Sequence, residues 1–408
     1  MVGSTRLALC FIWMALQAQH VLPMIKESGS SSLVFFTQQR GIHRQNPVIV
    51  LKLNGSLYEM GKTYGKVLRE ELHYSLDMLK RFFEGKGGSY EDMRKGAKLF
   101  QDRYTEEWTY FLEGMAKGSG LAHDDCIILN AMETLHVPES KNDVADSSSS
   151  SWNFGCAFAY IPSKRATLNQ PIVARNYDYP PPFEQIAKNL VVTILHEKGK
   201  IPTAIIGMPG QIYCPTCINA RGHFLELNNG APSGGGGIDP KAKPSMLIKM
   251  LDVLRESNDF KQLAQKLGSS RSDYSLIVNA ASPDQGFSFE YSSKNSAANA
   301  FPFDHEKEFV STNFFLNPIW GFPAPVDKNT FVGVTRRDNL LVLLGKHPTL
   351  SFRELKDLMD VNLVHGGAKW ALTIYQIIFD YGTRVMSLKV PSASDNWVDI
   401  DLNDLLFR

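Results

Sequence analysis

The sequence predicts an α+β protein in which helices and strands are segregated along the chain. Two observations carry this. From Tyr58 to Leu135 apolar residues recur at helical spacing, whereas from Cys156 onward the period changes to two, in short runs separated by Gly, Pro and Asn. Segregated runs favour packed layers over a doubly wound sheet, which needs strands and helices in alternation. A third observation marks the boundary: a serine run, Ser147 to Ser151, is followed almost at once by Gly155-Cys156, where an apolar strand begins.

Residues 1–20 read as a secretory leader. Arg6 supplies positive charge, Leu7 to Leu16 is an apolar run of ten, and Gln17-Ala18-Gln19-His20 is a cleavage neighbourhood. A buried first helix is the alternative; a bilayer span takes ~20 residues, and no later stretch is apolar enough to supply one. The expectation is a protein of the secretory route, secreted or lysosomal and lumenal. Residues 21–47 are mixed and polar, with little fixed structure expected before Pro47. Val48 to Leu53 reads as a strand. Asn54-Gly55-Ser56 after it is a glycosylation sequon.

Tyr58 to Phe83 reads as one long amphipathic helix stopped by Gly85-Lys86-Gly87-Gly88, with further helical stretches over Tyr90–Lys117 and Asp124–Leu135. Residues 138–151 form a polar linker. Strands are then expected at Cys156–Ile161, Pro171–Asn176, Asn189–Glu197, Pro202–Ile206, His223–Leu227, Tyr274–Val278, Gly286–Tyr291, Leu372–Phe379 and Arg384–Val390. Helices interrupt them at Ser245–Leu267 and Ser351–Met359. The organisation is a helical part over 21–155 and a larger part over 156–408, together one domain.

Composition narrows the partners. With 43 basic against 42 acidic residues and no long basic run, neither nucleic acid nor an anionic membrane surface is indicated. Five cysteines in 408 residues do not make a disulfide scaffold. Cys214-Pro215-Thr216-Cys217 is a C-x-x-C without a second pair or spaced histidines, so zinc is not supported. It lies in a turn between strands rather than at a helix start, which leaves a local disulfide or two thiols. Gly234 to Gly237 lacks the Lys-Ser/Thr of a phosphate cradle and reads as a loop or lid.

The chemistry centres on Cys156. If the Gly155–Cys156 bond is cut, Cys156 carries a thiol (reference pKa ~8.5) and an α-amine (~8) on one residue, nucleophile beside base. Gly155 has no Cβ to crowd attack on its carbonyl. Arg175 and Asp178 are three apart, hence on opposite strand faces unless the chain turns after Arg175, and Asn176, Pro180 and Pro181 favour such a turn. A cation near Cys156 favours thiolate, and a carboxylate retains a protonated amine. The plainer readings are a small buried Cys and an ordinary ion pair.

Gly155-Cys156 at a strand start, Arg175-Asn176-Tyr177-Asp178, Leu53 to Gly65 and Leu112 to Leu121 together resemble the N-terminal nucleophile hydrolases, in the branch of isopenicillin-N acyltransferase, with choloylglycine hydrolases and acid-ceramidase-type amidases as relatives. The resemblance runs from about Val48 to Val390. It implies a four-layer α-β-β-α sandwich with the nucleophile on the first residue of a central strand. It implies no cofactor and no metal. It places Asp178 at the α-amine, Arg175 near the thiolate, Asn313 and either Asn228 or Asn229 as oxyanion donors, and Arg336 or Arg337 as a late arginine. The acyltransferase's Ser-Arg is absent; Gly366-Gly367-Ala368-Lys369-Trp370 occupies that region. Trp370, Trp320, Phe322 and Tyr213 are candidates to line an apolar acyl pocket.

The implied activity is that of a self-processed cysteine amidase acting on a small N-acyl amide through an acyl-thioester on Cys156, its light and heavy chains staying associated. An acyltransferase using an amine or thiol acceptor is the alternative. A binding protein with an intact Gly155–Cys156 bond and a C-x-x-C oxidoreductase are readings of different classes.

Overall fold

The period-two runs beyond Cys156 build most of two sheets, and the helical first part packs on one of them. In the computed structural model, residues 32–33, 42–45, 47–135, 155–180, 182–234, 244–294 and 298–407 are described. The leader, the linker at 138–151 and Gly235 to Gly237 lie outside them.

The chain opens with β1 (Ser32–Leu33), β2 (Ile42–Gln45) and β3 (Val48–Asn54), then α1 (Leu57–Val67), α2 (Arg69–Gly85), α3 (Tyr90–Gln101), α4 (Glu106–Ser119) and α5 (His123–Asn130). Next come β4 (Cys156–Ile161), β5 (Ile172–Asp178), α6 (Phe183–Ala187), β6 (Leu190–His196), β7 (Thr203–Gly207), β8 (Thr216–Asn219) and β9 (Phe224–Asn229). After α7 (Met246–Glu256) and α8 (Phe260–Gly268) follow β10 (Leu276–Ala281), β11 (Gly286–Tyr291), β12 (Asn299–Pro302) and β13 (Phe309–Ser311). The last elements are α9 (Gly333–Gly345), α10 (Phe352–Met359), β14 (Thr373–Asp380), β15 (Val385–Lys389) and β16 (Val398–Asp401).

One sheet has the order β1-β16-β15-β14-β5-β4-β13 and the other β12-β11-β10-β9-β8-β7-β6-β3-β2. They meet where β4 faces β9; α9 and α10 pack on β4, β5, β13 and β14, and α1, α7 and α8 on the nine-stranded sheet. The α+β expectation holds. Alternation along β4 divides the interior: Cys156, Phe158 and Tyr160 join the large core, while Ala157, Ala159 and Ile161 face Leu340, Leu344 and Leu355 under the helices.

Several sequence expectations are corrected. The region before Pro47 carries β1, paired parallel with β16, and β2, paired with β3. The long helix from Tyr58 breaks at Leu68 (φ −98°, ψ 23°), where the apolar spacing continues unchanged and local sequence carries no stop. The stretches Tyr90–Lys117 and Ser245–Leu267 each divide into two helices, at Thr105 and Asp259. Both are N-cap residues, and Asp259 accepts from the Gln262 N–H at 2.8 Å. Strands β8, β12, β13 and β16 and helix α9 were not expected at all. Nor is β4 central: it lies one strand in from the sheet edge, beside the three-residue β13.

Helices α1 and α4 cross with glycine against backbone. A Cβ added to Gly61 would lie 2.0 Å from the Phe111 carbonyl oxygen, and one on Gly114 would lie 2.1 Å from that of Tyr58. Gly114→Ala is therefore expected to push the helices apart at a cost of about 1–3 kcal/mol or more. Thermal melting checks this, and an unchanged midpoint would show that the crossing can spread freely.

Candidate functional site

Cys156 begins β4, and its neighbours across the sheet explain its surroundings. On one side β5 pairs Cys156 with Tyr177. On the other, β13 pairs Ser311 with Phe158 and then ends, so no strand backbone is left to accept the Cys156 N–H. The side chain of Asn313, two residues past Ser311, takes that place: its Oδ1 accepts the Cys156 N–H at 2.8 Å. Its Nδ2 donates to the Asn229 carbonyl at 3.1 Å. A primary amide has two N–H groups, so one remains for another acceptor.

The Cys156 thiol points between the sheets. Arg175, on the same face of β5, donates from Nη2 to Sγ at 3.3 Å. The guanidinium is wholly buried and held from all sides, by the carbonyls of Pro215 and Leu227, the Thr216 hydroxyl, and Glu226, whose Oε2 is 3.0 Å from Nε. Burial pushes the Cys156 thiol up to about 11; Arg175 opposes this, and Asp178 and Glu226 add to it. In the uncut chain the thiol is therefore protonated at neutral pH.

The expected turn after Arg175 is absent. β5 runs straight through Asp178, and the register shift falls instead in β14, between Thr373 and Tyr375. Arg175 and Asp178 do lie on opposite faces: Arg175 meets the Cys156 thiol with its side chain, whereas Asp178 meets it with its backbone N–H. The Asp178 backbone N–H favours the thiolate. Its carboxylate is bonded by Arg336 Nη2 and, at 2.6 Å, by the Thr373 hydroxyl. Burial still raises the Asp178 pKa, against the pull of Arg336 and Thr373.

The two late arginines separate cleanly. Arg336, on α9, is fully buried; its Nε donates to the Ala368 carbonyl at 2.9 Å, and Nη1 has no hydrogen-bond partner among the described residues. That nitrogen would lie 3.2 Å from a Cβ added to Gly155, so it borders the bond before Cys156. Arg337 points away, donating to the Val310 carbonyl at 3.1 Å. The asparagines also divide: Asn228 Nδ2 donates to the Ser311 hydroxyl at 3.1 Å, whereas Asn229 Oδ1 accepts from Ala231 N–H at 3.0 Å and its buried Nδ2 lacks a partner among the described residues.

Sequence reasoning missed Glu226, Asn279, Ser311 and Thr373. Asn279 donates to Glu226 and, at 2.7 Å, to Ser311, joining Arg175 to Asn228 through a buried polar chain. A charged residue at an inward position of β9 was the available signal. Glu133, just past α5, was also missed; Gln211 donates to it at 2.5 Å and to Tyr213 at 2.9 Å. Burial pushes the Glu133 carboxyl up to about 7 from 4.5, against hydrogen bonds from Tyr213 and Gln211. A raised carboxyl stabilises the fold fully below its unfolded pKa. As pH rises from about 4.5 to 7 the unfolded chain ionises first and stability falls, by up to about 3 kcal/mol. The fall in melting temperature across this window should become shallower in Glu133→Gln, the remainder being carried by Glu226, which burial likewise pushes up to about 7; a slope equal to the parent's would assign no part of it to Glu133.

The remaining candidates fall as follows. A cavity of about 340 Å³ is lined by Phe314, Phe315, Trp320, Phe322, Ser233 and Thr330, beginning at the residue after Asn313. Trp320 and Phe322 are among its walls. Tyr213 instead sits in the Glu133 network, and Trp370 lies over the Arg336 guanidinium, 5.4 Å from its carbon. Cys214 and Cys217 are two buried free thiols, Cys214 before and Cys217 within β8. Asn54 is exposed at the end of β3, and the Ser56 of its sequon caps α1. Among the described residues no helix is long and apolar enough to cross a membrane, and no cluster of side chains could hold a metal ion.

The chain is similar to the Caenorhabditis elegans ortholog of N-acylethanolamine-hydrolyzing acid amidase (15% identity, TM-score 0.42, 62% of this chain and 97% of that one). It is similar to a mutant of the conjugated bile acid hydrolase from Clostridium perfringens (10%, 0.43, 61% and 93%). It is also similar to penicillin V acylase from Agrobacterium tumefaciens (12%, 0.39, 61% and 86%). No family model and no curated protein matches the chain.

Proposed function

We propose that the chain is a cysteine amidase that cuts itself between Gly155 and Cys156 and then hydrolyses a small N-acyl amide. The observation that carries this reading is the convergence of buried groups on both ends of one residue: Arg175 on the Cys156 sulfur, Asn313 on its nitrogen. A structural cysteine would need an acceptor for its buried N–H, but not a buried cation at its sulfur.

In the cut enzyme the Cys156 α-amine takes the thiol proton, relieving the high pKa that burial imposes. Asn313 Oδ1 keeps the amine in place, and Asp178, itself fixed by Arg336 and Thr373, supplies the negative potential that retains its proton. Arg175 steadies the thiolate. The sulfur attacks the amide carbon, the leaving amine departs with the proton, and water opens the thioester. Charge on the tetrahedral oxygen is met by the free Asn313 N–H and by Arg336 Nη1, donors already ordered before reaction. Release of the acyl group to water makes the enzyme a hydrolase; an amine acceptor would make it a transferase.

Intact mass and N-terminal sequencing of the purified full chain test the reading. The expected result is two associated chains, the second beginning Cys156-Ala157-Phe158, with release of amine from N-acyl amides. A single inert chain that keeps the Gly155–Cys156 bond would favour a binding protein.

A further inference from the structure

We infer that the acyl group accepted here carries no branch on one side of its α-carbon, the side an L residue's Cβ would take, and that Asn313, Arg336 and Phe331 impose this limit. The inference rests on Cys156 being the nucleophile, as proposed above. Self-cleavage and turnover then pass through the same bond. In self-cleavage the Cys156 sulfur bonds to the Gly155 carbonyl carbon as the Gly155–Cys156 C–N bond breaks. The thiol proton goes to the freed α-amine, and water opens the thioester to a Gly155 carboxyl group and a thiol. In turnover a substrate carbonyl replaces that of Gly155, the substrate's amine leaves with the proton, and water again opens the thioester to acid and thiol. Gly155 Cα thus marks the place of the substrate's α-carbon.

The space around that carbon is closed on one side. An L-side Cβ at Gly155 would lie 2.9 Å from Asn313 Oδ1, 3.2 Å from Arg336 Nη1 and 3.2 Å from Phe331 Cβ, the first closer than Cβ atoms come in real proteins. None of the three walls yields easily. Asn313 is pinned by Cys156 and Asn229, and Arg336 by Asp178 and Ala368. Phe331 (φ 54°) and Val332 (φ 56°) are consecutive non-glycine residues in the left-handed region, a conformation kept only where the surroundings enforce it. A straight acyl chain has hydrogen on this side and passes. When an alkyl chain replaces the glycine nitrogen, an L-like methyl corresponds to the R enantiomer of an α-methyl acyl group, which the walls refuse.

The test uses the purified full chain with straight-chain octanoyl, (R)-α-methyloctanoyl and (S)-α-methyloctanoyl p-nitroanilides. In parallel, the matching aryl thioesters acylate the protein and the Cys156 adduct is read by mass. The R acyl group is expected to react at least about tenfold more slowly than the straight chain in both assays. Equal rates for the R and straight acyl groups would overturn the inference while leaving Cys156 as nucleophile. No Cys156 adduct with any acyl group would overturn the nucleophile reading, and the inference with it.

Discussion

Cys156→Ala is expected to yield one uncut chain with no measurable amide hydrolysis, while Cys214→Ala cuts itself and retains activity. Losing a covalent nucleophile removes the acyl-thioester altogether, and the general scale of such a loss in a nucleophilic enzyme is on the order of 10⁶-fold. The change should be mild structurally, because Cys156 is already a small buried residue and Ala removes one sulfur atom from the core. Melting of the variant near that of the parent, together with absent processing, separates chemistry from folding. Full amidase activity in Cys156→Ala would end the proposed function. Loss of activity in Cys214→Ala alone would move attention to the C-x-x-C.

Arg175→Leu should be the most destabilising of the site substitutions. It strands Glu226, fully buried, without its cation, and leaves the Pro215 and Leu227 carbonyls and the Thr216 hydroxyl without the guanidinium. Breaking a buried pair from one side costs about 3–5 kcal/mol, whereas replacing both partners by apolar groups is often close to neutral. The double variant Arg175→Leu/Glu226→Leu is therefore expected to recover much of the lost melting temperature without recovering self-cleavage, because no cation then opposes the burial that holds the Cys156 thiol up. Denaturant melts and mass analysis of the three proteins decide it. Recovery of processing in the double variant would mean that Arg175 serves the fold and not the sulfur.

The division of labour between sequence and tertiary structure is visible residue by residue. Periodicity is a local property, so the change from helical spacing to alternation marked the α+β class, and most strands after Cys156 were legible to within a few residues. The Gly155-Cys156 boundary and the spacing of Arg175 and Asp178 were also local, and the site is built around them. Where the apolar rhythm is uninterrupted, as at Leu68, or bunched at one end, as in the leucines Leu340 to Leu344 of α9, pattern failed, because chain breaks and helix starts there answer to distant packing.

Partnerships between remote segments were beyond local pattern. Nothing near Asn313 states that β13 stops short and leaves the Cys156 N–H for its side chain; that follows from the antiparallel register of two strands about 150 residues apart in sequence. The choice of Arg336 over Arg337 follows from which face of α9 meets β5, and the pairing of Arg175 with Glu226 from how the two sheets face each other. The sequence by itself determined which chemical groups the chain carries and where its elements change period. Only the tertiary structure decided which of those groups meet, because burial between sheets makes an unpartnered charged or polar group costly, and the partner is selected by geometry rather than by nearness along the chain.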